Sequence, residues 1–449
     1  MMPIQNQKPY FCPSEHCRFV RGALNAALYD LNSGHVYSLD REARDILELC
    51  CHGLDVTHIS ETVQTDTNET EAIRFLDQLV ELGLGHYSTI PYQDVISLQP
   101  QPIIHIRKLW LEITSRCNLR CIHCYADADS HNPGAQLSLP VLRWLQVLTE
   151  AAQFSPPWVQ LIGGEPLLCG KAFIQGILCH AQNLGIPHME IFTNGILLNE
   201  AWADLFRDMN THIAFSIYAK SAQVHDAVTG ISGSHSRLLQ NIEILIRKGV
   251  EVRPAFILMQ ENELEEQETL SWLSRQFGHE TASADIIRCT PESRCSQGRH
   301  ISPGLWKRKF RSHAVFTPVS DSLFYDHLTG HPCLNGSLCI HHNGDVFPCV
   351  MDRIRKLGSV LKMPLAEIVR NDPTTDVWHQ NLDKIETCKD CEFRYACRDC
   401  RPEAAGINAL LAGEIGYDFA AKNPCCLYDP HTGTWKGPDM RLSQLHTSS

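Results

Sequence analysis

Lys108-Leu-Trp-Leu-Glu-Ile-Thr114, then Ser115-Arg116, then Cys117-Asn-Leu-Arg-Cys121-Ile-His-Cys124, is the stretch on which the fold turns. The segment Lys108–Thr114 is apolar and strand-like and runs into a polar turn. Three cysteines follow at spacing C-x3-C-x2-C. Three thiolates on one short loop hold three corners of an iron–sulfur cube and leave the fourth iron open to an organic ligand. A closed zinc site would want four ligands. His123 lies inside the loop, but no fourth cysteine or close histidine pair stands nearby.

Outward from this stretch the pattern alternates between strand and helix. Candidate strands are Lys108–Thr114, Trp158–Ile162, His188–Thr193, His212–Ile217, Glu251–Leu258 and Ala284–Cys289. Candidate helices fall between them at Pro140–Ala152, Lys171–Leu184, Glu200–Arg207, Arg237–Lys248 and Leu264–Phe277. Repeated βα units predict an α/β fold with a parallel sheet. Such sheets bind ligands beyond the carboxyl ends of their strands, and the cysteine loop lies just past the first. Gly163-Gly164-Glu165-Pro166 follows the second strand, where glycines let backbone close on a ligand and Glu165 offers an acceptor to an ammonium group. Thr193-Asn194-Gly195 follows the third, and Ser216 lies in the fourth.

Length and composition are those of an ordinary globular protein with room for several domains. A net charge of −12 argues against nucleic acid or an anionic membrane as main partner. No segment approaches the roughly 20 apolar residues of a membrane span, and the N-terminus lacks the apolar core of a signal peptide. The expected location is cytoplasmic. Twenty cysteines in a large leaderless chain read as metal or cluster ligands rather than disulfides. They concentrate at 117–124 and again between 333 and 426.

Residues 1–95 predict a small independent domain. Ala23–Tyr29 and His35–Leu39 form a hairpin across Asn32-Ser33-Gly34, and Asp40 caps a helix from Arg41 to Cys50. A short helix around His58–Val63 follows. Asn68 and Glu71 have the form of a capping box for a helix with Ile73, Leu76, Leu79 and Val80 on one face and Gly83 as C-cap. Residues 96–106 read as a linker.

The cysteine loop and Gly163-Gly164-Glu165-Pro166 together resemble the signatures of the radical S-adenosylmethionine (SAM) superfamily. The resemblance implies a partial (βα)6 TIM-like barrel over 107–324. It implies a [4Fe-4S] cluster on Cys117, Cys121 and Cys124, and SAM contacts from Gly163, Gly164, Glu165, Asn194 and Ser216, with Arg237 a further candidate for the SAM carboxylate. Reductive cleavage of SAM would give a 5′-deoxyadenosyl radical that abstracts hydrogen from substrate.

The later pieces resemble the cysteine-rich SPASM domain, assigned to 325–449. They are Cys333-x5-Cys339, Gly344-x4-Cys349, Cys388-x2-Cys391-x5-Cys397-x2-Cys400 and Cys425-Cys426. The last gap of the third piece is x2 where the family has x3, and the span from Cys339 to Gly344 is short. The resemblance implies two auxiliary [4Fe-4S] clusters. Cys333, Cys339, Cys349 and Cys400 complete one; Cys388, Cys391, Cys397 and one of Cys425 or Cys426, with Cys425 the first choice, complete the other. A zinc ribbon on Cys388, Cys391, Cys397 and Cys400 is the alternative.

The N-terminal pattern resembles the PqqD-like winged-helix domain called the RiPP recognition element. That order of domains resembles maturases of ribosomally made peptides. It implies a precursor peptide whose leader docks on residues 1–95, a crosslink, thioether or oxidation as the modification, and a flavodoxin or ferredoxin as electron donor. Two other readings stand beside it. One is an anaerobic sulfatase-maturase-like oxidase, a family that places an acidic residue directly after the cysteine of the G-x4-C piece, where this chain has Val350. The other is a non-catalytic iron–sulfur or zinc adaptor.

Overall fold

A computed structural model describes residues 9–62, 70–93, 104–128, 138–278, 283–288, 290–295, 300–314, 316, 318–412 and 416–437. The expected cap residue Asn68 and most of the linker lie outside them, as does Cys289.

The centre of the molecule is the parallel sheet expected from the sequence. Its strands are β6 (Lys108–Thr114), β7 (Val159–Gly163), β8 (Met189–Thr193), β9 (His212–Ile217), β10 (Val252–Leu258) and β11 (Ala284–Ile286). Each pairs in parallel with the next. Alternation in β6 explains its seat. Leu109, Leu111 and Ile113 are fully buried in one core with Trp144, Val147 and Leu148 of helix α4 (Val141–Ala152) and Ile174 and Ile177 of α5 (Lys171–Asn183). Glu112, on the opposite face, reaches Arg353 at 2.6 Å. The fold is α/β, a partial TIM-type barrel.

The remaining barrel helices are α6 (Glu200–Asp208), α7 (Ala222–Thr229), α8 (Ser234–Arg247) and α9 (Glu266–Phe277). Helix α7 was not expected. Its sequence AQVHDAVT has little apolar periodicity, although Ser221 caps it and Gly230 ends it in the left-handed region.

Beyond the barrel, β12 (Ser337–Ile340), β13 (Asp345–Phe347) and β14 (Gly358–Ser359) extend the same sheet, giving the order β11-β10-β9-β8-β7-β6-β12-β13-β14. β12 runs parallel to β6, with Cys339 opposite Trp110. The expected boundary at 324 falls inside a helix, Asp321–Thr329. The first part of the cysteine-rich region is therefore continuous with the barrel.

In the N-terminal region, β3 (Ala26–Asp30) and β4 (Val36–Leu39) form the expected hairpin, where Asp30 accepts hydrogen bonds from the backbone of Asn32 and Ser33. Three strands were missed: β1 (Tyr10–Pro13) pairs with β5 (Gly85–Ser88), and β2 (Cys17–Arg21) pairs with β3. Helices α1 (Arg41–Cys51), α2 (Val56–Thr62) and α3 (Thr70–Glu81) pack in a core of their own with Leu28, Leu47 and Leu76. Asp40 caps α1 as expected. Ile73, expected on the buried face of α3, is exposed, and Ala72 is buried instead.

The region is not an independent unit. The other face of its sheet, with Val20, Ala27, Tyr29 and Leu31, shares a second buried cluster with Val319, Phe324, Phe393, Tyr395 and Tyr428. Tyr29 donates to the Glu392 carbonyl at 2.9 Å, and Ala23 N–H to the Asp390 carbonyl at 2.7 Å.

Candidate functional site

At the carboxyl end of β6 the chain turns into the cysteine loop, which is held from three sides. From the second strand, Gly164 N–H donates to the Thr114 carbonyl at 2.8 Å and Glu165 N–H to the Arg116 carbonyl at 2.7 Å. A Cβ on Gly164 would stand 2.1 Å from the Arg116 carbonyl oxygen, and Gly163 has φ +129°. Only glycine permits this approach. From α7, the Thr229 and Val228 carbonyls accept from Arg120 and Ile122 N–H at 2.9 and 3.1 Å. From beyond the barrel, Arg294 donates to the Cys121 carbonyl at 2.9 Å, to the Ala128 carbonyl at 2.7 Å, and to Asp127 at 2.7 Å.

The three thiols face donors. Cys117 Sγ accepts from Leu119 N–H at 3.4 Å and from the Asn194 amide at 3.8 Å, and Cys124 Sγ accepts from Ala128 N–H at 3.4 Å. Cys121 takes a hydrogen bond from Tyr218, whose hydroxyl also meets Ser216. Burial, reinforced by the neighbouring cysteines, pushes the Cys121 thiol up to about 12. Ligation to metal therefore releases protons, and preset donors stabilise the thiolates that result.

Glu165 is fully buried. Its carboxylate accepts from Leu167 N–H at 3.0 Å, the Thr193 hydroxyl at 2.8 Å and Asn194 N–H at 2.8 Å. Burial raises it to about 7 against those hydrogen bonds. It pins the Thr193-Asn194-Gly195 turn to the cysteine loop and keeps one acceptor site for a ligand cation. Asn194 also bonds Asn118 at 2.8 Å. The candidates Gly163, Gly164, Glu165, Asn194 and Ser216 thus gather around one loop, all at carboxyl strand ends. Tyr218, Arg294 and α7 carried no sequence signal: a lone tyrosine or arginine reads as an ordinary surface residue.

The later cysteines fall into two groups. Cys349 interacts electrostatically with Cys333 and Cys400, and Cys339 with Cys349. Cys388 and Cys391 each lie near Cys397, and all three lie near Cys426. Cys425 faces Glu403, Lys309, Arg311 and Asp399 instead. Of the two candidates Cys425 and Cys426, it is Cys426 that lies near Cys388, Cys391 and Cys397.

Thiolates around one zinc ion stand ~3.8 Å apart, given Zn–S bonds of about 2.3 Å. Among the described residues, only Glu112, Cys339 and His341 bring three such ligand atoms within 4.8 Å of one another. There Arg353 already neutralises Glu112 at 2.6 Å. No three of the described cysteine sulfurs lie within 4.8 Å of one another.

Residues 111–273 match the family model of the Radical SAM superfamily, and residues 333–392 match that of SPASM, an iron-sulfur cluster-binding domain. The AdoMet-dependent heme synthase of Methanosarcina barkeri is 24% identical over 354 residues, covering 71% of this chain and 95% of that protein. The cysteine-type anaerobic sulfatase-maturating enzyme of Clostridium novyi is 24% identical over 324 residues, covering 64% and 86%. The PqqA peptide cyclase of Streptomyces rochei is 22% identical over 349 residues, covering 72% and 89%. The solved structure of native anSMEcpe with bound AdoMet shares the fold, with a TM-score of 0.50 and 15% identity over 76% of this chain and 96% of that one. No described helix is long and apolar enough to cross a membrane. The chain thus joins a radical SAM domain, with its SAM and [4Fe-4S] cluster, to a SPASM domain with auxiliary iron–sulfur clusters.

Proposed function

We propose that the protein is a maturase that modifies a ribosomally made precursor peptide. The observation that carries this reading is the seat of the N-terminal domain. Its sheet β2-β3-β4 shares a buried cluster with the cysteine-rich region, against which Cys391 and Cys426 also pack. A PqqD-like recognition domain that adds a leader as an extra strand would so hold its peptide on the body of the enzyme. The peptide cyclase relative supports a peptide substrate.

Cys117, Cys121 and Cys124 would hold the radical SAM cluster, and Gly163, Gly164, Glu165, Asn194 and Ser216 would surround SAM. Two auxiliary [4Fe-4S] clusters would be held by Cys333, Cys339, Cys349 and Cys400, and by Cys388, Cys391, Cys397 and Cys426. When bound, these groups supply one-electron chemistry and a hydrogen-abstracting carbon radical. The chain's residues supply the rest: Gly163 and Gly164 let the second strand close on the cysteine loop, and Glu165 fixes the Asn194 turn. A flavodoxin or ferredoxin is the expected reductant.

The sulfatase-maturase reading has a relative in its favour and a local arrangement against it. Val350 follows Cys349, and the nearby Asp352 is buried and spent on Arg355 at 2.6 Å and two backbone N–H groups. It is not a free base. Anaerobic reconstitution with dithionite, SAM and candidate peptides tests the proposal. Formation of 5′-deoxyadenosine with a mass change in a leader-bearing peptide is expected. No 5′-deoxyadenosine would sink the radical reading, and modification of a sulfatase-derived peptide alone would transfer the function to the alternative.

A further inference from the structure

The connector between the two matched domains, residues 274–332, belongs to neither family model. Within it, Arg311 is fixed by its backbone to the second late cysteine group. Arg311 N–H donates to the Cys425 carbonyl at 3.0 Å, Leu427 N–H donates to the Arg311 carbonyl at 3.3 Å, and Arg311 pairs with Cys426 as an isolated parallel bridge. The side chain is thereby aimed at the thiols. Its Nη1 donates to Cys397 Sγ at 2.8 Å and to the Arg398 carbonyl at 3.3 Å. Asp399, the carboxylate beside it, is already engaged by Arg401 and by Asn423. The Arg311 guanidinium makes its side-chain hydrogen bonds to the Cys397 sulfur and the Arg398 carbonyl, with Cys426 and Asp399 also within its field.

A guanidinium does not lose its proton in a protein. One-electron reduction of a [4Fe-4S] cluster with four thiolates adds negative charge to an already anionic group. A fixed cation, and a hydrogen bond to a ligand sulfur, both stabilise the more negative state. We infer that Arg311 is a positioning residue that raises the reduction potential of the auxiliary cluster held by Cys388, Cys391, Cys397 and Cys426. The inference rests on the cluster assignment proposed above.

The test is a redox titration followed by electron paramagnetic resonance on the anaerobically reconstituted full chain, with iron analysis alongside. The relevant signal is the one that disappears in Cys391→Ser. In Arg311→Gln its midpoint should fall by at least about 59 mV, a tenfold change for a one-electron couple, with iron content unchanged. Arg311→Lys, which keeps the charge, should stay near the parent. A fully loaded Arg311→Gln with an unmoved midpoint overturns the inference. So does loss of about four irons from both variants, because Arg311 would then serve only to build the loop. A parent chain that takes up only about four irons would instead sink the auxiliary-cluster assignment, before any variant is compared.

Discussion

Glu165 and Thr193 stand 28 residues apart in sequence and 2.8 Å apart in space. Removing the carboxylate strands three donors in a dry interior, and each stranded buried donor costs about 1–3 kcal/mol. Glu165→Ala should therefore lower the unfolding free energy by about 3 kcal/mol or more, and Glu165→Gln, which keeps an acceptor oxygen, by less. Denaturant titration of the metal-free chain reads this out; equal midpoints for Glu165→Ala and the parent would show that the carboxylate pins nothing. At His225 the argument concerns pH. Burial, and then the neighbouring His235, hold this imidazole down to about 4, with Nδ1 accepting from Tyr218 N–H at 3.3 Å. The unfolded imidazole takes up a proton below about pH 6.5 while the native one stays neutral. Stability is thus complete above pH 6.5 and falls as pH drops, by roughly 3 kcal/mol at pH 4 given about 1.4 kcal/mol per pH unit. His225→Asn, which keeps an acceptor, should lose that part of the acid slope. An identical slope in both proteins would exclude His225 as its source. Cys425 and Cys426 show where sequence stops being decisive. Neighbours in extended chain point to opposite faces, so the pair could be located from spacing but not divided. Cys426→Ser should lose about four of roughly twelve irons and Cys425→Ser none; the reverse would restore Cys425 as the ligand.

Among elements, strands β6 to β9 were legible because a parallel strand covered on both faces is a compact apolar run bounded by turns, while the more exposed β10 and β11 follow from the alternation of strands with helices. Helix α7 was not, because a short helix with weak periodicity resembles a loop until its two caps are read together. The omission matters, since the last turn of α7 supplies the Thr229 and Val228 carbonyls that hold Arg120 and Ile122 inside the cysteine loop. Its stop, Gly230, has φ +71°, and a Cβ there would stand 3.1 Å from the Arg120 carbonyl. Gly230→Val combines a left-handed β-branched residue, costing about 1–3 kcal/mol, with pressure on that loop. Its expected signature is selective: SAM cleavage falls while the auxiliary-cluster resonance signals persist. Equal loss of all clusters would mean that α7 supports the fold as a whole and not the loop. β1 and β5 escaped notice because they pair with each other from distant parts of the chain; β2 pairs with β3 across the short turn Gly22–Asn25, whose sequence Gly-Ala-Leu-Asn is not a strong hairpin signal.

At the scale of the molecule, the N-terminal region looked separable because its helices make a core of their own. What no local pattern revealed is that its sheet is apolar on both faces. Tyr29 is fully buried, 5.2 Å from Phe324 between ring centres, and Leu24 N–H donates to the Pro430 carbonyl at 3.1 Å. Arg394, between Cys391 and Cys397, donates to the Arg21 carbonyl at 2.8 Å. Deleting residues 1–95 would thus uncover Phe324, Phe393, Tyr395 and Tyr428 together, an aromatic patch that soluble monomers rarely expose. It would also remove one wall of the loop that carries the second cysteine group. The truncated chain should aggregate on size exclusion and bind about four fewer irons than the full chain. Tyr29→Ala should act the same way in milder form, costing about 3–5 kcal/mol as a large-to-small core change, with the iron loss confined to the signal that Cys391→Ser abolishes. A truncated chain that stays monomeric with full iron would show that the domain is a detachable reader. A coupled loss would show that peptide recognition and the auxiliary cluster share one structural support, so that a peptide docking on the domain bears on the cluster beside it.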